Sequence, residues 1–191
     1  VKKYSQTPLP IEIKCFGKTI NQQISVQYSV RRLAQYPTYE RNSMWSWPTV
    51  KNPLRVALNY LVIRVSGFLP SLKLKNALYR SIGIKLGKNV SVGLDVTFDI
   101  FFPELIEIGD NCVIGYHSTV LCHEFLVSKW KKGPVKIGDN VMIGANTTIL
   151  AGVVIERGAT VSACSLVNRD IPSGSFVGGV PAKAIRSESA T

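Results

Sequence analysis

An apolar side chain returns at every sixth residue through much of this 191-residue chain. Ile84, Val90, Val96, Phe102, Ile108, Ile114 and Val120 keep the interval without exception, and Ile137, Ile143, Ile149, Ile155, Val161 and Val167 resume it. Such a period suits neither an amphipathic helix, which repeats at about 3.6 residues, nor a strand alternating between irregular turns. It suits a short strand and a turn repeated, with one large side chain turned inward on each flat face. Gly follows the anchor at 109, 115, 138 and 144, and a small or apolar residue stands four positions after it at Cys112, Ser118, Val141, Thr147, Val153, Ala159 and Ser165. The Gly-Asp-Asn runs at 109–111 and 138–140 are read as the source of the positive φ angles that tight corners require. Units stacked in this way bury their apolar faces only against one another, so the wall they build is a solenoid.

The metre fails between Val120 and Ile137, where STVLCHEFLVSKWKKGPVKIG runs from Ser118 to Gly138. Residues 126–134, with Lys129, Trp130, Lys131 and Lys132, are expected to leave the wall as a loop, either as a lid or with Trp130 packed on the solenoid. The two histidines of the chain, His117 and His123, each stand three residues after an anchor, and only His123 borders the break. Imidazole is the side chain best suited to accept a proton near neutral pH, which makes His123 a candidate base. Glu124 occupies a slot that elsewhere holds Ser, Thr, Val or Ala. It is read either as the carboxylate that orients His123 or as a solvent-facing group where the coil opens.

Charge divides the chain. Residues 1–83 hold 13 Lys and Arg against 2 Asp and Glu, whereas residues 84–191 hold 10 of each. The solenoid therefore calls for no polyanionic partner, and no nucleic acid is expected. Residues 1–52 read as an extension, with strand-like alternation at Ile24, Val26, Tyr28 and Val30. Residues 53–83 read as a basic helical segment. In its first helix Leu54, Leu58, Leu61, Val62 and Val65 share one face, and in its second Leu74, Leu78 and Ile82 point inward with Lys73, Lys75 and Arg80 outward. This pair would cover the open edge of the first coil or lie on an anionic membrane. Cys15, Cys112, Cys122 and Cys164 form no CxxC pair and are expected to be reduced thiols of a cytoplasmic protein, with peripheral contact at the inner membrane surface as the further possibility the basic helices raise.

The hexads resemble those of the hexapeptide-repeat acyltransferases, in particular the sugar O-acetyltransferase-like branch. The closing segment, NRDIPSGSFVGGVPAKAIR from Asn168 to Arg186, is similar to the way those enzymes end. The resemblance implies a mainly β fold: a left-handed parallel β-helix of about four coils over residues 84–187, with a protruding loop and a preceding α-helical segment. It implies an acetyltransferase that takes acetyl-CoA as donor and passes the acetyl group to a hydroxyl of a sugar or glycan by direct attack, with His123 as general base. It further implies donor contacts at Gly144, Ala145 and Ala163, with the Ala145 N–H serving the oxyanion, and phosphate contacts at Arg169, Lys183 and Arg186. On the acceptor side Asp95, Asp99 and Trp130 are candidates, the two aspartates being equally readable as turn formers. A homotrimer with sites between subunits is implied, and no metal is expected. Two other readings share the fold. A γ-class carbonic-anhydrase-like zinc enzyme needs three imidazoles, one more than the hexads supply. A non-catalytic assembly module leaves His123 at the break without a role.

Overall fold

The computed structural model describes residues 12–15, 18–21, 31–38 and 41–185. The strand expected around Ile24 to Val30, and Arg186, lie outside them. Three parallel ladders form a prism. One stacks Lys85–Leu86, Ile106–Ile108, Val135–Ile137 and Val154–Ile155. The second stacks Ser91–Val92, Val113–Ile114, Met142–Ile143, Thr160–Val161 and Phe176–Gly178, and is closed by the antiparallel Lys183–Ala184. The third stacks Thr97–Phe98, Thr119–Val120, Thr148–Ile149 and Leu166–Val167. Each anchor pairs with the anchor one coil away: Ile108 with Ile137, Ile137 with Ile155, Ile114 with Ile143, Val120 with Ile149. All are buried.

The register corrects the phase of the first coil. Ile108, Ile114 and Val120 pair with Leu86, Val92 and Phe98, not with Ile84, Val90 and Val96. The first coil therefore spans 22 positions, from Leu86 to Ile108, where Ile137 to Ile155 spans 18. The four extra residues fall after Phe98, where a turn of 3-10 helix at Pro103–Leu105 leads into the next strand. Because two inward rows lie four residues apart along each hexad, a four-residue excess moves the count from one row to the other without breaking the sequence metre. Ile84, Val90, Val96 and Phe102 are nonetheless buried, as members of the second row.

The corners correct the role of the glycines. Positive φ occurs at Asn89, Asp95, Asn111, His117, Asn140, Asn146 and Cys164, each three residues after a true anchor, and at Gly152, Gly158 and Gly174. Gly109, Gly115, Gly138 and Gly144 are not among them. Their reason is closeness: a Cβ on Gly115 would lie 2.5 Å from Ala145 N, and one on Gly144 would lie 2.3 Å from Ala163 N. The coils touch there backbone to backbone, and no side chain fits between them.

Before the prism come α1 (Trp47–Val50), α2 (Pro53–Phe68) and α3 (Leu72–Ser81). Asn52 caps α2 by accepting from the backbone N–H of Leu54 at 2.9 Å, with Pro53 at the first helical position, and the Ser71 hydroxyl accepts from Leu74 at the start of α3. The buried face of α2 is Val56, Asn59, Ile63, Ser66 and Gly67, and that of α3 includes Lys75, Asn76 and Tyr79. Leu54, Leu58, Leu61, Val65 and Leu74 are exposed, opposite to the sequence expectation. The physical reason is the surface these helices cover. The first coil ends in a row of carbonyls with no strand beyond them. Lys75 Nζ donates to the carbonyls of Val92 and Gly93 at 3.0 and 2.8 Å, Asn76 to Val90 and Asn59 to Ile100 both at 2.8 Å, and Arg80 to Leu86 and Gly87. A polar edge demands a polar helix face, since unmet buried carbonyls are costly. Burial pushes the Lys75 ammonium below its ordinary range, opposed by the charge of Asp95. Tyr79 completes the seal edge-on to Phe98, ring centroids 4.8 Å apart.

Candidate active site

After Val120 the chain leaves the prism at the corner between the third and first ladders. His123–Phe125 and Lys129–Lys132 pair as an antiparallel hairpin, and Ala34–Pro37 adds a third strand to its outer edge. The segment expected as loop 126–134 is thus mostly sheet, and the excursion starts at His123 itself. Trp130 stacks on Tyr36 at 4.2 Å and lies parallel to Phe102 at 6.0 Å. Lys132 Nζ sits over the rings of Phe102, Tyr36 and Trp130. With Tyr36 on one side and Phe102 on the other, Trp130 is a packing residue of this wall.

His123 is nearly enclosed, its side chain 13 % exposed, among Phe101, Phe125 and Phe102 at 4.6, 4.9 and 6.1 Å between centroids. Its Nδ1 lies 2.5 Å from Oδ2 of Asp99, a fully buried carboxylate. That carboxylate is fixed by three backbone donors: Cys122 N–H to Oδ2 at 2.6 Å, and Phe101 and Phe102 N–H to Oδ1 at 2.8 and 2.9 Å. The carboxylate against the imidazole is therefore Asp99 and not Glu124, and Asp99 is bound up with His123 instead of facing an acceptor. Glu124 points across the hairpin to Arg31, whose guanidinium also reaches the Ala151 carbonyl. An aspartate 24 positions upstream reaches the histidine because the first coil is long. The four extra residues turn the chain back through Asp99, and the two phenylalanine N–H groups clasp its carboxylate. Neither hexad position nor spacing along the chain reveals that meeting.

A second element escaped the sequence reading altogether. Arg32 donates its backbone N–H to Gly152 O at 3.0 Å and its guanidinium to Asp170 at 3.0 and 3.1 Å. Residues 31–37 thus form a strap along this corner, across three coils and onto the hairpin. Gly133 and Gly152 are glycines because the strap runs against them: a Cβ would lie 2.2 Å from Arg32 O at the first and 2.8 Å from Arg32 N at the second. The strap has no period of its own, so nothing in its sequence announced it.

The other expected positions gather at a different corner, between the second and third ladders. Leu94, Tyr116, Ala145 and Ala163 stack there, with hydrogen bonds from His117 N to Leu94 O, Asn146 N to Tyr116 O, and Cys164 N to Ala145 O. The turn Gly179–Lys183 closes over them, Gly179 accepting from Leu166 N and donating to the Ser165 hydroxyl. Asp95 sits at this corner too, 3.7 Å from Nε2 of the half-exposed His117. Arg169 follows the third-ladder strand Leu166–Val167 into the corner where Asp170 holds the strap, on the His123 side. The structure thus brings Gly144, Ala145, Ala163 and Lys183 together, and His123, Asp99 and Trp130 together, with the third ladder between the two groups. Cys122, next to His123, is not a nucleophile: burial first, then the charge of Asp99, pushes its thiol far above the ordinary range. Among the described residues no group of three or more His, Cys, Asp or Glu side chains is placed to hold a metal.

Residues 134–169 match the family model described as bacterial transferase hexapeptide (six repeats), and residues 105–120 match the hexapeptide repeat of succinyl-transferase. YvoF of Bacillus subtilis (strain 168), which carries the provisional name of an acetyltransferase, is 46 % identical over 157 residues, 82 % of this chain and 91 % of its own length. This chain belongs to the hexapeptide-repeat acetyltransferases. Family membership brings with it the left-handed winding of the prism. Among solved structures, the hexapeptide-repeat acetyltransferase VCA0836 of Vibrio cholerae superposes with a TM-score of 0.57 at 23 % identity, over 72 % of this chain and 92 % of its own, and is also known in complex with acetyl-coenzyme A. A galactoside acetyltransferase in complex with coenzyme A superposes with a TM-score of 0.54 at 24 % identity, over 70 % of this chain and 80 % of its own. Both share the fold of this acetyltransferase.

Proposed function

We propose that this acetyltransferase moves an acetyl group from acetyl-CoA to a hydroxyl of a sugar or glycan, with His123 as the general base and Asp99 as its positioning residue. The observation that carries the reading is the 2.5 Å contact between Asp99 Oδ2 and His123 Nδ1 at the break in the hexads. An ionised carboxylate only accepts, so the proton rests on Nδ1 and Nε2 presents its lone pair. No group among the described residues bonds Nε2. The acceptor O–H gives its proton to Nε2 as its oxygen attacks the thioester carbonyl. The tetrahedral oxyanion collapses with loss of the CoA thiolate, which takes the proton back from the imidazolium. Asp99 holds the ring through both transfers, and the surrounding phenylalanines keep water from competing. The Ala145 N–H, which bonds no acceptor among the described residues, is the donor assigned to the oxyanion. The galactoside acetyltransferase among the structural relatives supports a sugar hydroxyl as acceptor, and the complexes of VCA0836 with acetyl-coenzyme A and of the galactoside enzyme with coenzyme A support the donor.

Base and oxyanion donor lie at different corners of one prism, which supports a homotrimer in which the donor corner of one copy meets the base corner of the next. Val113 and Met142 are in-register neighbours on the outer face of the second ladder, with Phe176 beyond Thr160 in the same row, all three close to half exposed, and offer apolar contacts for that packing. The test is CoA release with a panel of sugar acceptors, run on the native chain and on His123→Ala. Turnover abolished by the substitution, in a species that sediments as a trimer, upholds the reading. A fully active variant removes His123 from the chemistry, and an active monomer removes the shared site.

A further inference from the structure

The helical cap turns a face of mixed character to the prism, Asn59, Ser66, Lys75 and Asn76 beside Val56, Ile63 and Tyr79, and leaves a second apolar face outward. Leu54, Leu58, Leu61, Val65 and Phe68 fall at successive intervals of four, three, four and three, a single stripe down the whole of α2, with Leu54 81 %, Leu61 59 % and Phe68 67 % exposed. Leu72 and Leu74 continue the exposed apolar surface onto α3. A row of this length is not the scattered exposure of single leucines that any protein surface carries.

We propose that this outer face of α2 and α3 docks on an anionic lipid bilayer, the helices lying in the headgroup region. Charge selects the occupant. Residues 41–83 carry seven Lys and Arg (Arg41, Lys51, Arg55, Arg64, Lys73, Lys75 and Arg80) and no Asp or Glu at all. A second copy of the same stripe would bring two basic, acid-free surfaces face to face. Residues 1–30, with Lys2, Lys3, Lys14 and Lys18 against Glu12 alone, would add more of the same sign. Lys75 and Arg80 are spent on prism carbonyls, Arg55 on Ile82 O and Lys51 on Glu104. An anionic headgroup layer neutralises the exposed Arg64 and Lys73 while the stripe buries its leucines below them. Arg64, over the Phe68 ring at 5.4 Å, flanks the stripe where a headgroup phosphate would meet it. No helix among the described residues is long and apolar enough to cross a membrane, so the geometry is one of lying on the surface. Sealing the prism and contacting a membrane, which the sequence posed as alternatives, thereby become the tasks of two opposite faces of the same helices.

Co-sedimentation of the full chain with vesicles decides the matter, because it reads binding and not turnover. Vesicles of phosphatidylcholine with about 30 % phosphatidylglycerol are expected to retain the protein about ten-fold better than pure phosphatidylcholine. Joint substitution of Leu58→Ser and Leu61→Ser, both on the exposed stripe, is expected to weaken that retention by about ten-fold or more, with circular dichroism and CoA release unchanged. Three results overturn the proposal: no retention by anionic vesicles, retention that the double substitution leaves intact, as charge attraction through residues 1–30 alone would give, or an oligomer that the substitution dissolves without any change in vesicle binding.

Discussion

His117 and His123 occupy the same position in the hexad, six residues apart, and the structure makes opposite things of them. His117 follows Ile114 into a left-handed corner, φ 57°, and its side chain is 50 % exposed with Asp95 3.7 Å away. His123 follows Val120 into extended backbone at the head of a hairpin, with Asp99 at 2.5 Å. A corner in the regular path fans its side chain outward into solvent. A corner where the path is abandoned can be built over, here by the hairpin, the strap and three phenylalanines. Chemistry that needs a dry, oriented imidazole belongs to the second kind.

The contrast is breakable by substitution. His123→Ala is expected to cut acetyl transfer by about 10²–10⁴-fold, as loss of a general base does. His117→Asn, which keeps a residue tolerant of the left-handed corner, is expected to leave the rate within about two-fold. The same CoA-release assay reads both, and comparable losses would erase the distinction. Asp99→Asn preserves the shape of the carboxylate but not its charge; kcat is expected to fall by about 10²-fold or more, and the pH dependence of kcat/KM to change with it. Asp95→Asn at the other corner is expected to do neither. A smaller effect, on stability, separates the two kinds of corner without any catalysis. Gly152 and Gly174 both have positive φ, yet a Cβ on Gly152 meets Arg32 N at 2.8 Å while one on Gly174 meets nothing within 4 Å. Gly174→Ala is expected to cost about 1 kcal/mol, the conformational penalty alone, and Gly152→Ala about 2–3 kcal/mol in chemical denaturation, because the strap must shift as well.

The smallest effect concerns the thiols. Exposed Cys164 is expected to react with a thiol reagent in the native protein, and buried Cys112 and Cys122 only on unfolding. Burial raises the latter two above the ordinary value of 9.0, so from about pH 9 the unfolded chain releases protons that the folded one retains, and stability falls as pH rises. Lys75 acts the other way. Its ammonium is lowered from 10.5, so the unfolded chain holds the proton longer, and below 10.5 its contribution to stability rises with pH. Substituting Cys122→Ala should therefore flatten the alkaline decline, measured as the denaturation midpoint between pH 8 and 10.

Periodicity carried the prism, and it also concealed the phase. Nothing in the spacing from Ile84 to Val120 distinguishes an unbroken row from two rows joined by a four-residue turn, since both place an apolar residue at each sixth position. His123 was legible because it stood beside the failure of the pattern. Asp99 was legible as a candidate but not in its task, because its partner is set by a coil that is longer than its neighbours. Glu124, adjacent in sequence, was the natural choice, but successive residues of a strand point to opposite sides. The helices were legible from their leucines, and their orientation was not. The usual inference that apolar means inward fails where the surface to be covered is a row of carbonyls. Lys75, Asn76 and Arg80, expected in part to face solvent, are the residues that meet it.

The strap has one consequence for how the chain comes together. Arg31 and Glu124 are separated by 93 positions, and Arg32 and Asp170 by 138. Residues 31–37 must therefore wait for the hairpin of residues 123–132 before they have a sheet to join, and for Asp170 before Arg32 has its ion pair. Neighbouring coils can zip up by short-range contacts, but the wall around His123 closes only with this long loop, whose ends pay the largest entropy of meeting. On a ribosome residues 31–37 emerge about ninety residues before the hairpin strand Lys129–Lys132 that Ala34–Pro37 joins, and Arg32 waits longer still for Asp170. The wall around His123 would then close after the coils it leans on have formed, and burial of that imidazole would lag behind the formation of sheet.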